Sequence, residues 1–224
     1  MCPVVSLADK AYFSIKNKIL RGELQPGFPL KEEHLSEMFS ISRTPLRKAL
    51  TQLLAEGFLI KGRDRTLRVP YITVSELQDT MKARKLLETA AAAEACKNCS
   101  NDDISRLEHI IDDEREAWLV HDNFVILTMD SLFHNFIAQT SKNKIYAEFV
   151  EILGYKAALY LALSNTLTDE INYALEEHKV ILNAFKLGLP DKAADAMSSH
   201  IENVEKRIFD VIKKEKGRNL NFNF

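Results

Sequence analysis

Apolar positions in this chain recur three and four residues apart over most of its length, which predicts a mostly helical fold. Ala11, Tyr12, Ile15, Ile19 and Leu20 form one stripe over residues 7–20, with Lys10, Lys16, Lys18 and Arg21 mostly on the other side. Gly22 stops that helix and Pro26-Gly27 makes a turn. A second helix is expected over 31–39, with Leu35 and Met38-Phe39 inward, then a three-residue turn, Ser40-Ile41-Ser42, with Ile41 as a plug. Ser42 is a good N-cap, and Pro45 is tolerated only in a first turn, so a third helix starts at about Ser42. Leu46, Leu50 and Leu53-Leu54 give it a buried face, and Glu56-Gly57 ends it.

The period then changes. Phe58-Leu59-Ile60 and Leu67-Arg68-Val69 read as two short strands joined by Lys61-Gly62-Arg63-Asp64-Arg65-Thr66. After a linker, Pro70-Tyr71-Ile72, the pair Thr73 and Glu76 makes a capping box and helical spacing resumes. Six helical segments follow, at about 74–98, 102–120, 122–140, 143–164, 168–187 and 190–215. Breaks such as Ser100-Asn101-Asp102-Asp103, Ser164-Asn165-Thr166 and Gly188-Leu189-Pro190 separate them. Short breaks favour antiparallel neighbours, and the tail beyond Lys213 is expected to fray. The expected architecture is an N-terminal winged helix-turn-helix over 1–70 followed by an all-helical antiparallel bundle over 71–224.

Composition narrows the class. With 46% hydrophobic and 28% charged residues the chain is that of a globular protein, and no apolar run reaches membrane-spanning length. MCPVVSLADK carries no cationic segment followed by an apolar core, so no secretory signal is expected. Three cysteines fit a reducing cytoplasm better than a disulfide framework. Cys96 and Cys99 have CxxC spacing but no second pair, a poor zinc site. Residues 1–70 carry 12 Lys and Arg against 7 Asp and Glu, whereas residues 71–224 carry 18 against 25. A basic head on an acidic body fits a DNA-binding protein.

Candidate chemistry falls in two places. Arg43, Thr44 and Arg47 lie on the first turns of the third helix, away from its leucines; two guanidiniums and a hydroxyl there suit phosphates and the N7/O6 edge of guanine. Arg63 and Arg65, with Lys61 and Arg68, form a basic wing; alone it reads equally as a solvated hairpin, but beside that helix it reads as a second DNA contact.

The histidines form the other place. His34, His109 and His121 have polar neighbours or sit at a helix end and read as solvated. His134, His178 and His200 lie on apolar faces. Asp130 and His134, four residues apart, share one helix face, while His178 and His200 are each 11 residues from Leu189 and so at matching heights of a helix pair. One carboxylate and three imidazoles are N/O ligands for a divalent metal, zinc first, with nickel and manganese also fitting. The competing reading is a packed polar cluster.

The residues Ile19-Leu20-Arg21-Gly22, Pro26-Gly27, Leu30, Leu35, Ser42-Arg43-Thr44-Pro45, Arg47, Ala49-Leu50, Leu54 and Glu56-Gly57 resemble the N-terminal domain of the GntR family of bacterial transcription regulators. That resemblance implies operator contact by Arg43, Thr44 and Arg47. The wing departs from it: Arg65-Thr66 stands where an Arg-Gly pair is usual. Glu33 faces where some members place a basic DNA contact. The body resembles the FCD domain of the FadR branch, in its six-helix, VanR-like form, through Asp130-x-x-x-His134, His178 and His200, which the resemblance implies are metal ligands. Arg84-Lys85-Leu86-Leu87-Glu88 matches the family's Arg-x-x-Leu-Glu, which implies that Arg84 pairs with an effector carboxylate; the competing reading is a surface salt bridge.

These readings combine into a cytoplasmic homodimer on palindromic double-stranded operator DNA, controlled by a small organic acid at a metal site, with no membrane partner and no enzymatic role. A direct metal-ion sensor is one alternative, and a metal-dependent enzyme another, although no Asp or Glu stands out as a general base.

Overall fold

A computed structural model describes residues 6–164, 171–215 and 222–223. Helix α1 (Leu7–Leu20) opens on a capping box made by Ser6 and Asp9. Strand β1 (Pro29–Leu30), α2 (Glu32–Phe39), α3 (Arg43–Ala55), β2 (Ile60–Lys61) and β3 (Leu67–Arg68) complete the head. Its antiparallel sheet has the order β1-β3-β2, with Leu30 opposite Leu67 and Lys61 opposite the same residue on the other side. This is a winged helix-turn-helix.

Several local expectations change here. Phe58 and Leu59 pair with no strand; after Gly57 turns the chain with a left-handed φ of +82°, both are fully buried beneath α3. Strand β1 has no alternating pattern to announce it, because it is only two residues long. Met38 and Leu54, expected inward, are exposed, since only one face of each short helix meets the core: Leu35 in α2, and Leu46, Ala49, Leu50 and Leu53 in α3. Ser42 occupies the N-cap position of α3, but its side chain makes no capping bond. The turn between α2 and α3 is held instead by Ser36 Oγ, which donates to the Ile41 carbonyl at 2.6 Å.

The body comprises α4 (Val74–Asn98), α5 (Asn101–Leu119), α6 (Asn123–Thr140), α7 (Lys144–Leu163), α8 (Ile171–Lys186) and α9 (Pro190–Glu215). The expected Thr73–Glu76 capping box starts α4, and Ser100 with Asp103 starts α5 in the same way. The break at 165–166 and the start of the fifth segment lie outside the described residues. So does most of the tail, although α9 persists through Glu215 and Phe222–Asn223 (β5) pairs in parallel with Ile72–Thr73 (β4), within what was expected to be linker and frayed end. Helix α4 is central, packed against α6, α7 and α9. Phe133 and Phe136 enter the core, whereas Phe149 is exposed. Among the described residues no helix is long and apolar enough to cross a membrane.

Head and body share one apolar core. Ala11, Ile15 and Ile19 of α1 and Phe58 belong to the same buried cluster as Ala117, Ile126, Leu127, Ala158 and Leu159 of α5, α6 and α7. Lys16 therefore does not face solvent as its polarity suggested. The bundle covers that side of α1, and Lys16 Nζ lies 4.6 Å from the centres of both the Phe58 and Tyr155 rings. It is also 2.8 Å from Tyr12 Oη and 3.3 Å from Glu56 Oε2. Burial pushes the Lys16 amine below its ordinary pKa, against the pull of Glu56. Arg21 adds an ion pair with Asp122, the N-cap of α6, at 2.9 Å. Burial dominates this junction: a fully buried aliphatic side chain contributes about 1.5–3 kcal/mol, an exposed ion pair about 0–1.

A shared core should unfold as one unit. Leu127→Ala is expected to cost about 2–5 kcal/mol and to lower a single calorimetric transition for the whole chain. Two transitions with only one displaced would contradict the shared core.

Candidate metal centre and DNA-facing surface

Five helices bring the site residues together. Helix α6 supplies Asp130 and His134, one turn apart on its buried face; α8 supplies His178 and α9 supplies His200. One potential ligand atom from each of these four residues lies within 4.8 Å of the others, and all four residues are buried. His134 Nε2 and His178 Nε2 are each 3.8 Å from Asp130 Oδ1, and His200 Nε2 is 3.3 Å from His134 Nε2. The His178 and His200 rings are centred 4.7 Å apart, in keeping with their equal spacing from Leu189.

The remaining two helices, α4 and α5, together with α8 itself, hold the imidazoles from behind. Glu88 of α4 is 2.5 Å from His134 Nδ1, Glu114 of α5 is 3.0 Å from His178 Nδ1, and Glu177 of α8 is 2.8 Å from His200 Nδ1. A carboxylate beside Nδ1 favours the tautomer with its proton there, which leaves Nε2 free to face the centre. Glu88 in turn accepts from Arg84 Nε at 2.6 Å, and Glu177 accepts from Arg207 Nη1 and Nη2 at 2.8 and 2.9 Å.

Electrostatics follow from this pairing. Burial opposes charge on Glu88, but Arg84 and His134 more than offset it and hold its carboxyl at about 2. Burial likewise opposes charge on Glu177, and hydrogen bonds from Arg207 and His200 hold it at about 2. Burial and the two neighbouring imidazoles bring His200 down to about 3, against Glu177. Burial pushes His178 down, but Glu114 and Asp130 more than offset it and raise its pKa. Asp130 stays below the ordinary carboxylate range, because the three histidines and Arg84 outweigh its burial.

The donor set fits a divalent cation. His178 Nε2 is buried with no hydrogen-bond partner. His134 Nε2 and His200 Nε2 lie 3.3 Å apart; in the tautomer with protons on Nδ1 neither has a proton to give the other, and a bound cation would satisfy both. The four carboxylates (Glu88, Glu114, Asp130, Glu177) outnumber the two guanidiniums (Arg84, Arg207), so the site can accept positive charge from a cation.

Sequence reasoning missed the three supporting glutamates as partners. Glu114 was legible: it falls on the α5 stripe of Leu107, Ile110, Ile111 and Ala117, so a charge points into the core. Glu88 similarly lies on the inward stripe of α4. Three carboxylates thus stand beside the ligands, each engaged by a histidine. Arg84 is no surface salt bridge: it is fully buried against Glu88. His34, His109 and His121 are exposed, as expected.

On the head, Arg43, Thr44 and Arg47 all lie exposed on the first turns of α3. The wing turn is closed by Arg65 N to Gly62 O at 2.9 Å and Gly62 N to Thr66 O at 2.9 Å. Its left-handed residue is Arg65, with φ +62°, so the position next to Thr66 carries the turn. A Cβ on Gly62 would meet Asp64 Oδ1 at 2.8 Å and the Thr66 carbonyl at 3.3 Å, so the turn is tight there. Arg63 is exposed near the same tip.

Residues 7–69 match the profile described as "Bacterial regulatory proteins, gntR family", and residues 79–203 match that of the FCD domain. The chain belongs to the GntR family of bacterial transcription regulators. It is 29% identical over 214 residues to the Uxu operon regulator of Haemophilus influenzae, covering 88% of this chain and 80% of that one. It is 27% identical over 187 residues to the HTH-type transcriptional regulator McbR of Escherichia coli, covering 81% and 83%. The structure of Escherichia coli McbR/YncC superimposes with a TM-score of 0.77 at 23% identity, covering 94% of this chain and 99% of that one. A GntR regulator from Rhodococcus sp. RHA1 also gives 0.77, at 19% identity, covering 91% and 97%. The winged head followed by a helical FCD body is thus the fold of this family.

If Glu114 orients His178 for a metal, Glu114→Gln should weaken zinc binding by about 10–100-fold, measured by competition with a chromophoric chelator. Unchanged zinc affinity would assign Glu114 a purely structural part.

Proposed function

We propose that this GntR regulator binds operator DNA as a homodimer and that a small carboxylate, held at a divalent metal site and by Arg84, sets its operator affinity. The observation that carries the reading is the convergence of Asp130, His134, His178 and His200 with every imidazole Nδ1 occupied by a carboxylate. Asp130 and the three Nε2 atoms would hold the ion, with zinc, nickel and manganese compatible with this donor set. When bound, the ion supplies a positive pole for an anionic ligand. Arg84 adds a second cationic group one contact away, because the Glu88 that holds His134 also binds Arg84.

The fold supports a route from site to head. Helix α6 carries both Asp130 and His134 and, one to two turns back along its axis, Ile126 and Leu127 of the core shared with α1. Its N-cap, Asp122, pairs with Arg21 of the head. A ligand that displaces α6 therefore bears directly on the orientation of α1 and of the recognition helix α3. The size of the effect is set by the ligand's differential affinity for the two arrangements. In a two-fold dimer, paired α3 helices would enter major grooves about one helical turn apart, with Arg43, Thr44 and Arg47 toward the bases and Arg63 and Arg65 toward the backbone. The acids beside the site are all bound to histidines, which favours a regulatory role over catalysis.

Operator duplexes selected from a random pool allow a direct test by fluorescence anisotropy. Arg43→Ala and Arg47→Ala should each abolish sequence preference at fixed salt while the helical circular dichroism is retained. Zinc-loaded protein should shift its operator affinity by about 5–150-fold on addition of one member of a panel of small organic acids, and chelator-treated protein should not. A response to metal alone, with every acid silent, would make the ion itself the signal and overturn the effector reading.

A further inference from the structure

The two arginines assigned to base reading are not free. Arg47 Nε donates to Glu32 Oε2 at 2.8 Å, and Arg43 Nη2 donates to Glu33 Oε1 at 3.3 Å. Both acceptors come from the first turn of α2, a different helix, and reach across to the DNA-facing turn of α3. Lys31, Glu32, Glu33, Arg43, Arg65 and Thr66 together line an open cleft of about 430 Å³ between the start of α2, the start of α3 and the wing tip. Acidic residues at the start of a helix complement its dipole, and that alone accounts for their presence on α2. It does not account for their aim at the two guanidiniums, nor for negative charge on a surface that meets phosphate.

We propose that Glu32 and Glu33 are specificity-determining residues: by holding Arg47 and Arg43 away from phosphates, they suppress sequence-independent DNA binding. Non-specific affinity comes almost entirely from guanidinium and ammonium contacts to phosphate, each adding about 0.9 to the slope of log affinity against log salt. An arginine already paired with a carboxylate releases fewer counterions on meeting a phosphate, so its contribution there is cut. At the N7/O6 edge of guanine the guanidinium makes a directional two-bond contact; Glu32 engages only Nε of Arg47 and Glu33 only Nη2 of Arg43, so N–H donors stay available for a base edge while the net positive charge offered to phosphate is reduced. The pairing therefore lowers binding to random sequence more than binding to operator. This inference rests on the DNA-facing assignment of α3, and is independent of the metal centre.

The test compares the full-length protein with Glu33→Gln and Glu32→Gln/Glu33→Gln, both conservative changes at solvent-accessible positions. Binding to a duplex selected by the wild-type protein and to a shuffled duplex of the same composition is measured by anisotropy across a salt series. The double variant should bind the shuffled duplex about tenfold more tightly near 0.15 M salt, with a slope steeper by one to two. Its affinity for the selected duplex should change much less, so the ratio between the two falls. Shuffled-duplex affinity and slope equal to wild type, with Arg43→Ala still defective, would overturn the role of the carboxylates and leave the DNA surface standing. Loss of selected-duplex binding with the shuffled duplex unaffected would overturn it in favour of direct base contact by Glu33. If Arg43→Ala changed neither duplex, both this inference and the DNA-facing assignment of α3 would fall.

Discussion

Three buried imidazoles are aimed at one point by three carboxylates, two of them buried and the third, Glu177, half-buried, and much of the bundle is arranged to permit that. Charged groups are costly in an apolar interior unless paired. Here Glu88, Glu114 and Glu177 are paired with Nδ1 of His134, His178 and His200, and two of them also with Arg84 and Arg207. Every helix of the body except α7 contributes to this network. The pairs lie 23 to 64 residues apart in sequence or bridge α4 to α6, so they tie the helices to one another as well as orienting the ligands.

The second constraint is the continuity of the apolar core from body to head. The helix that carries two of the four candidate ligands also carries residues packed on α1, and α3 packs on the other side of α1. The head is thus seated on the element most exposed to events at the metal centre. Lys16 illustrates how complete the seating is: a lysine enclosed by two aromatic rings and a carboxylate remains where the bundle covers it.

Much of this was legible in the sequence, for physical reasons that can be named. Helices announce themselves through a long-wavelength apolar period and through caps, so α4 to α9 and the capping box at Thr73 fell where the pattern put them. Two-residue strands carry no period, and β1 went unseen. Asp130, His134, His178 and His200 were found because one residue type recurred on inward faces. Glu88 and Glu114 were not recognised as their partners, because a charge on an apolar stripe gains meaning only once its partner on another helix is known. Lys16 was misplaced because amphipathicity tells polar from apolar but not which polar face a neighbouring domain will cover.

The most direct measurement of the central claim is a crystal structure of protein purified without chelator, with diffraction recorded on both sides of the zinc, nickel and manganese absorption edges. One anomalous peak per chain is expected, bound by Nε2 of His134, His178 and His200 and by Asp130. A site in which those atoms hydrogen-bond only to one another or to water, with no anomalous signal after incubation with each metal, would contradict the account.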